Sequence, residues 1–212
     1  MNAVKVITLA AQKGGCGKSA LAISCAALAA NNSRVLVLDL DPQGTARQWQ
    51  SGRNGGPPEV RAIRNVAELE STLTALPANA FDFVFIDTPG RDEPSEAAAI
   101  RAADLTLIPC RPTMADVRAM PATAAVAKRL KRHYAFVLTQ VPTRGTRADE
   151  TAAALAEVGE VAPIRIGQRI AWQDSYAASQ GVSEYEPHGP AARELGALWR
   201  WLNARLKGLK HG

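Results

Sequence analysis

Two lysines stand five residues apart in the segment AAQKGGCGKSA, Ala10–Ala20. Its second half, Gly17-Lys18-Ser19, closes the phosphate-loop pattern G-x-x-x-x-G-K-[ST], but Gln12 replaces the opening glycine. In such a loop, backbone N–H groups converge on phosphate oxygens, the lysine neutralises their charge and the hydroxyl suits Mg²⁺. The expected nucleotide contacts are Gly14, Gly15, Cys16, Gly17, Lys18, Ser19 and Ala20. Lys18 already meets the need for a cation, so Lys13 must do something else. From the rim of the loop it could reach a nucleotide held by a second subunit; the plain alternative is a solvated surface lysine.

Carboxylates follow at the right places. The run VLVLDLDPQGTA, residues 35–46, ends a strand-like segment with Asp39 and Asp41, and FVFIDTPG, residues 83–90, ends another with Asp87. Carboxylates at strand C-termini face the ligand crevice of open α/β sheets. Ser19, Asp39 and Asp87 are therefore the candidate metal-binding residues, with Asp39 or Asp41 alternatively supporting the loop or facing the γ-phosphate. A helix N-cap would explain either aspartate alone but not the pair. Thr88, Pro89 and Gly90 would begin a segment that senses the γ-phosphate.

These residues need a scaffold that lines up strand ends. Apolar, β-branched runs at 4–10, 34–40, 81–87, 104–110 and 134–140, with weaker ones at 59–63 and 162–166, alternate with helical stretches. The helices are expected near 18–31, 66–76, 95–102, 114–131, 148–158, 168–180 and 190–208, with 51–58 and 141–147 as loops. Continuous apolar strands separated by helices predict a doubly wound, three-layer α/β fold around a mostly parallel sheet. Residues 1–212 read as a single domain.

The chain's 212 residues are 47% hydrophobic and 21% charged, which is globular composition. A net charge of +5 allows a polyanionic partner without requiring one. Cys16, Cys25 and Cys110 are odd in number and widely spaced, so free thiols are expected. The N-terminal apolar run leads straight into the glycine loop, with no secretory signal and no spanning segment, so the expected location is cytoplasmic.

The loop Lys13-Gly14-Gly15-Cys16-Gly17-Lys18-Ser19 resembles the KGGxGK[ST] signature of the deviant-Walker-A ATPases, the ParA–MinD superfamily of P-loop NTPases. The Asp-x-Asp-Pro-Gln at 39–43 and the strand ending in Asp87 resemble its second and third motifs. IGQRIAWQDSYAASQGVSEYEPHGPAARELGALWRWL, residues 166–202, is similar to the late pattern of ParA-type partition ATPases, with Ser19-Ala20 and Val182-Ser183 as departures. The resemblance implies ATP and Mg²⁺ as ligands and an ATP-dependent homodimer in which Lys13 contacts the partner's nucleotide. It implies that Lys13, Lys18 and Asp41 are catalytic, Asp41 orienting the attacking water, and that adenine lies near Thr139, Gln140 and Pro142. It implies a small form without an N-terminal DNA-binding domain.

Three branches of that superfamily differ in partner. A bridging iron–sulfur cluster needs paired cysteines, and none follows Cys110. A membrane-bound, MinD-like role would use the C-terminal stripe Leu195, Leu198, Trp199, Leu202, Leu206 and Leu209, but that helix also suits the core, and the sequence stops at Gly212. The favoured branch partitions DNA. It implies nonspecific, ATP-dependent DNA binding, release after hydrolysis stimulated by a centromere-binding ParB-type protein, and association with the nucleoid. Candidate DNA contacts are Arg165, Arg169, Arg193, Arg200, Arg205 and Lys207, with Lys128, Arg129, Lys131, Arg132, Arg144, Arg147 and Lys210 adding to the basic surplus.

Overall fold

The computed structural model describes residues 4–90 and 93–209; Lys210 lies outside them. Seven strands form one sheet: β1 Lys5–Leu9, β2 Val35–Asp39, β3 Glu59–Ala62, β4 Phe83–Asp87, β5 Leu105–Cys110, β6 Tyr134–Val141 and β7 Val161–Gly167. Their order is β3-β2-β4-β1-β5-β6-β7, and every pair is parallel. Both faces of the central strands are buried, which is why they read as unbroken apolar runs.

Nine helices are present among the described residues: α1 Lys18–Ala30, α2 Thr45–Ser51, α3 Val66–Ala75, α4 Glu93–Ala102, α5 Met114–Arg129, α6 Arg147–Ala156, α7 Ala171–Ala177, α8 Val182–Tyr185 and α9 Pro190–Gly208. One face of the sheet presents Ile7, Leu9, Val35, Val37, Phe85, Leu105, Leu107 and Val137 to α1, α2, α8 and α9. The other presents Val6, Leu36, Leu38, Val84, Ile86, Ile108 and Phe136 to α3, α4, α5 and α6. The three-layer expectation holds, and the sheet is wholly rather than mostly parallel.

Two expectations need correction. Residues 45–51 form α2, whose start after Gly44 (φ 65°) carries no side-chain cap for a sequence reading to find. The helix expected over 168–180 is the short α7, followed by Ser179 at φ 55° and a separate α8.

Register positions the site. Leu9 of β1 pairs with Asp87 of β4, and Asp87 pairs with Asp39 of β2, so both carboxylates stand in one row with the mouth of the glycine loop. The sequence order of the strands reverses at β1, the switch point where α/β sheets leave a crevice.

Candidate functional site

Gly15 (φ 74°) and Gly17 (φ 97°) adopt left-handed backbone that any side chain would strain, and Gly17 precedes α1 directly. The loop therefore turns tightly onto a helix N-terminus, a ready anion site. Lys18 is buried, and its ammonium donates to the loop's own carbonyls, Ala11 O at 3.3 Å and Lys13 O at 3.2 Å. It lies curled inside the loop. The buried Cys16 thiol also donates to Lys13 O, at 3.3 Å, and burial raises its pKa.

Strand β6 holds the loop from the side. Thr139 Oγ1 donates to Cys16 O at 2.8 Å, and Gln140 Nε2 donates to Gly15 O at 2.7 Å. Both residues line a cleft of about 380 Å³ with Gly15, Gly17 and Ala20 on one side and Ile166, Gln168, Arg169, Trp172 and Gln173 on the other. The cleft is where a base would extend from phosphates held by the loop. Pro142 departs from expectation: it lines a neighbouring pocket formed with Arg144, Gly145, Thr146, Arg147 and Ala148. Gln168, Trp172 and Gln173 lie outside the expected base contacts, which fall on the end of β6 and the loop after it.

Asp87 is fully buried, and neither carboxylate oxygen has a hydrogen-bond partner of good geometry. Burial drives its pKa from 3.8 to about 7; the nearby Asp39 and Asp41 push the same way, while the Ser19 hydroxyl and Lys18 partly oppose them. An orphaned carboxylate beside a hydroxyl at the mouth of a phosphate loop fits Mg²⁺, with Ser19 and Asp87 as the holding residues. Among the described residues no cluster of His, Cys, Asp or Glu would hold a metal unaided.

Asp39 plays a different part. It is buried, and its two oxygens accept from Asp41 N at 3.1 Å and Arg47 N at 3.0 Å. Burial raises its pKa, and those amides resist the rise. Asp39 thereby ties the turn carrying Asp41 to the start of α2. Asp41 is half-buried, and its Oδ1 accepts from Gln43 N at 3.0 Å. On the β4 side, Thr88 Oγ1 donates to Leu9 O at 2.8 Å. A Cβ at Gly90 would stand 3.2 Å from Gly14 N, so the two phosphate-facing segments touch.

Lys13 makes a contact within its own protomer that the sequence does not announce. Its ammonium sits 2.6 Å from Asp116 Oδ1 at the first turn of α5, inside its own protomer. The helix start agrees with the expected 114–131, and Thr113 caps it by accepting from Asp116 N, but nothing in the sequence names the ion pair to Lys13.

The candidate DNA contacts divide. Arg165 pairs with Asp149 at 2.5 Å, Arg205 with Glu160 at 2.9 Å, and Arg169 with Glu194, while Arg193 donates to His188 O at 2.5 Å. Arg200 and Lys207 make no ion pair among the described residues. Lys128, Arg129, Lys131 and Arg132 are exposed at the end of α5, likewise without an ion pair. In α9 the stripe Leu195, Leu198, Leu202 and Leu206 is buried in the core, and Trp199 meets Phe83 edge-on at 5.0 Å. No helix among the described residues is long and apolar enough to cross a membrane. All three cysteines are free and buried.

Residues 7–182 match the family profile described as the CobQ/CobB/MinD/ParA nucleotide binding domain. The chain is 31% identical over 207 residues to the Maintenance of carboxysome distribution protein A of Gloeobacter kilaueensis, covering 95% of this chain and 94% of that one. It is 26% identical over 245 residues to the chromosome-partitioning ATPase Soj of Thermus thermophilus, covering 96% and 97%. Among solved structures, apo McdA of Cyanothece superposes with a TM-score of 0.79 at 18% identity, over 94% of this chain and 99% of that one. MinD of Pyrococcus horikoshii with Mg-ADP gives 0.74 at 15% identity, over 98% and 99%.

Proposed function

Because this chain belongs to the CobQ/CobB/MinD/ParA nucleotide-binding family, as a ParA/MinD-type ATPase acting on ATP with Mg²⁺, we propose that it is a DNA-dependent positioning ATPase. ATP joins two copies face to face, the dimer binds DNA without reading its sequence, and hydrolysis stimulated by a partner protein releases it. The carrying observation is the two-lysine loop set against a buried, unpartnered Asp87.

Catalysis here is positioning and charge stabilisation. The amides from Gly14 to Ala20 cradle the phosphates, and Lys18 exchanges its own loop carbonyls for phosphate oxygens. Ser19 and Asp87 would hold Mg²⁺, which would neutralise phosphate charge. Asp39 fixes the turn, and Asp41 orients the attacking water. Lys13 reaches the partner's nucleotide. Thr139 and Gln140 hold the loop beside the base, with Trp172 as the facing wall. Asp41 sits on a turn whose Pro42 and Gln43 are exposed, so turnover without the partner protein is slow.

For DNA, the neutralised arginines 165, 169 and 205 are poor phosphate contacts, and the exposed Lys128, Arg129, Lys131 and Arg132 are better ones. Retention of wild-type protein on duplex DNA should require ATP and fall steeply with salt. Lys128→Glu with Arg132→Glu should abolish it while basal ATP turnover continues, each lost contact lowering the salt slope by about 0.9. Unchanged retention by that double variant would refute the assignment.

The likeness to the carboxysome-distribution protein favours a second reading of the partner. In it, the protein that stimulates hydrolysis rides on a cargo other than a centromere. A membrane role is disfavoured by the buried stripe of α9. ATP-dependent binding to anionic vesicles without DNA retention would reverse that judgement.

A further inference from the structure

Helix α2 begins directly after the turn that carries Asp41, and little within it holds it together. It is seven residues long and starts at Gly44 without a side-chain cap. A helix that short is marginal in water, so its tertiary contacts decide whether it stays ordered. On the side of the site, Arg47 N donates to Asp39 Oδ2 at 3.0 Å, and Gly44 N closes the turn onto Asp41 O at 2.8 Å. Order in the first turn of α2 is therefore order in the turn that bears Asp41.

On its other side α2 is fastened to α7 and α8 along its whole length. At its first residue, the Tyr176 hydroxyl donates to Thr45 O at 3.3 Å. In its middle, the buried Trp49 donates through Nε1 to Gln180 O at 3.0 Å. Past its end, Arg53 Nη1 donates to Ser179 O at 3.1 Å, and its two Nη atoms reach Glu184 of α8 at 2.7 and 2.8 Å. A Cβ at Gly52 would collide with the Ser179 side chain, so the ends of α2 and α7 pack without a gap. Burial, and after it Asp39, raises the Tyr176 pKa, so the hydroxyl keeps the proton that it donates. One helical turn before Tyr176 on α7 stands Trp172, which lines the cleft beside the glycine loop.

We infer that α7 and α2 couple the base cleft to the catalytic turn, with Tyr176 as the positioning residue that joins them. A base seated against Trp172 steadies α7, α7 steadies α2 through Tyr176, and α2 steadies the turn bearing Asp41. Binding energy from a part of the substrate that does not react thereby orients the part that does. This rests on the reading that the base fills that cleft and that Asp41 orients the water.

The test is amide hydrogen exchange of the full chain with Mg²⁺ and saturating ADP or saturating pyrophosphate. Both lack a γ-phosphate, so they differ chiefly in the nucleoside. ADP should slow exchange over residues 45–51 about fivefold or more relative to pyrophosphate. Tyr176→Phe loses only the hydroxyl. In that variant ADP should still slow exchange over 171–177, but the advantage of ADP over pyrophosphate at 45–51 should vanish. The same variant should lower kcat for ATP about fivefold while KM changes little. A purely structural role would speed exchange over 45–51 with either ligand and leave the advantage of ADP intact; that result, or an unchanged kcat, overturns the inference. In wild type, ADP that protects 171–177 but not 45–51 overturns the coupling alone. ADP that protects neither segment beyond what pyrophosphate does overturns the placement of the base, and the coupling with it.

Discussion

Asp87→Asn is expected to make the nucleotide-free protein harder to melt while leaving it unable to turn over ATP with Mg²⁺. The folded-state pKa of Asp87 is about 7 against 3.8 for the free carboxyl, because burial disfavours its charge. Each unit is worth about 1.36 kcal/mol, so an ionised Asp87 costs the apo fold up to about 4 kcal/mol. The sign follows from which state holds the proton. Between about pH 4 and 7 the folded chain keeps a proton that the unfolded chain has lost, so stability falls as pH rises through that window and then levels. Asparagine removes the charge but buries an amide with few partners, at about 1–3 kcal/mol. The net gain at pH 8 is about 2 kcal/mol, or roughly 4–8 °C in Tm for a chain of this size. Thermal melts in EDTA at pH 8 and pH 5 read this directly. The gap should be largest at pH 8 and shrink or reverse at pH 5, and Mg²⁺ with ATP should raise the melting temperature of the wild type only. A variant that melts below wild type at pH 8, by the same margin as at pH 5, would refute the burial argument.

Gly90→Val should lower ATP affinity by about tenfold or more, because its Cβ would press within 3.2 Å of Gly14 N; calorimetric titration measures it. Trp172→Phe should remove the change in tryptophan fluorescence on adding ATP, since Trp172 lines the cleft whereas Trp49, Trp199 and Trp201 pack into the core. Arg53→Ala should cost about 2–3 kcal/mol, seen as a Tm lower by roughly 4–12 °C. That guanidinium pairs with Glu184 at 2.7 Å and lies 4.5 Å from the Trp49 ring centre, joining the end of α2 to α8.

Much of the fold was legible because the central strands are buried on both faces and so print themselves as apolar runs. The glycine loop was legible because left-handed backbone at 15 and 17 demands glycine. What escaped were relations across the fold. Lys13 and Asp116 lie on different elements, and nothing in either segment names the other. The arginines of the C-terminal half looked like free charge, yet their carboxylates sit on other elements: Asp149 on α6, and Glu160 just before β7. Helix α2 was missed because it is one of the shorter helices, seven residues, and starts at an uncapped Gly44. Asp39 and Asp41 are recognisable as a pair, but only the hydrogen bonds reveal that Asp39 grips the turn from both sides while Asp41 accepts from Gln43 N at its tip.

ATP should make two copies share their active sites through Lys13. Light scattering of the 22.5 kDa chain with Mg²⁺ and a non-hydrolysable ATP analogue tests this most directly. Wild type should double in mass and Lys13→Ala should remain single despite binding the analogue. A wild type that stays single at saturating nucleotide, or a Lys13→Ala protein that doubles as readily, would contradict it.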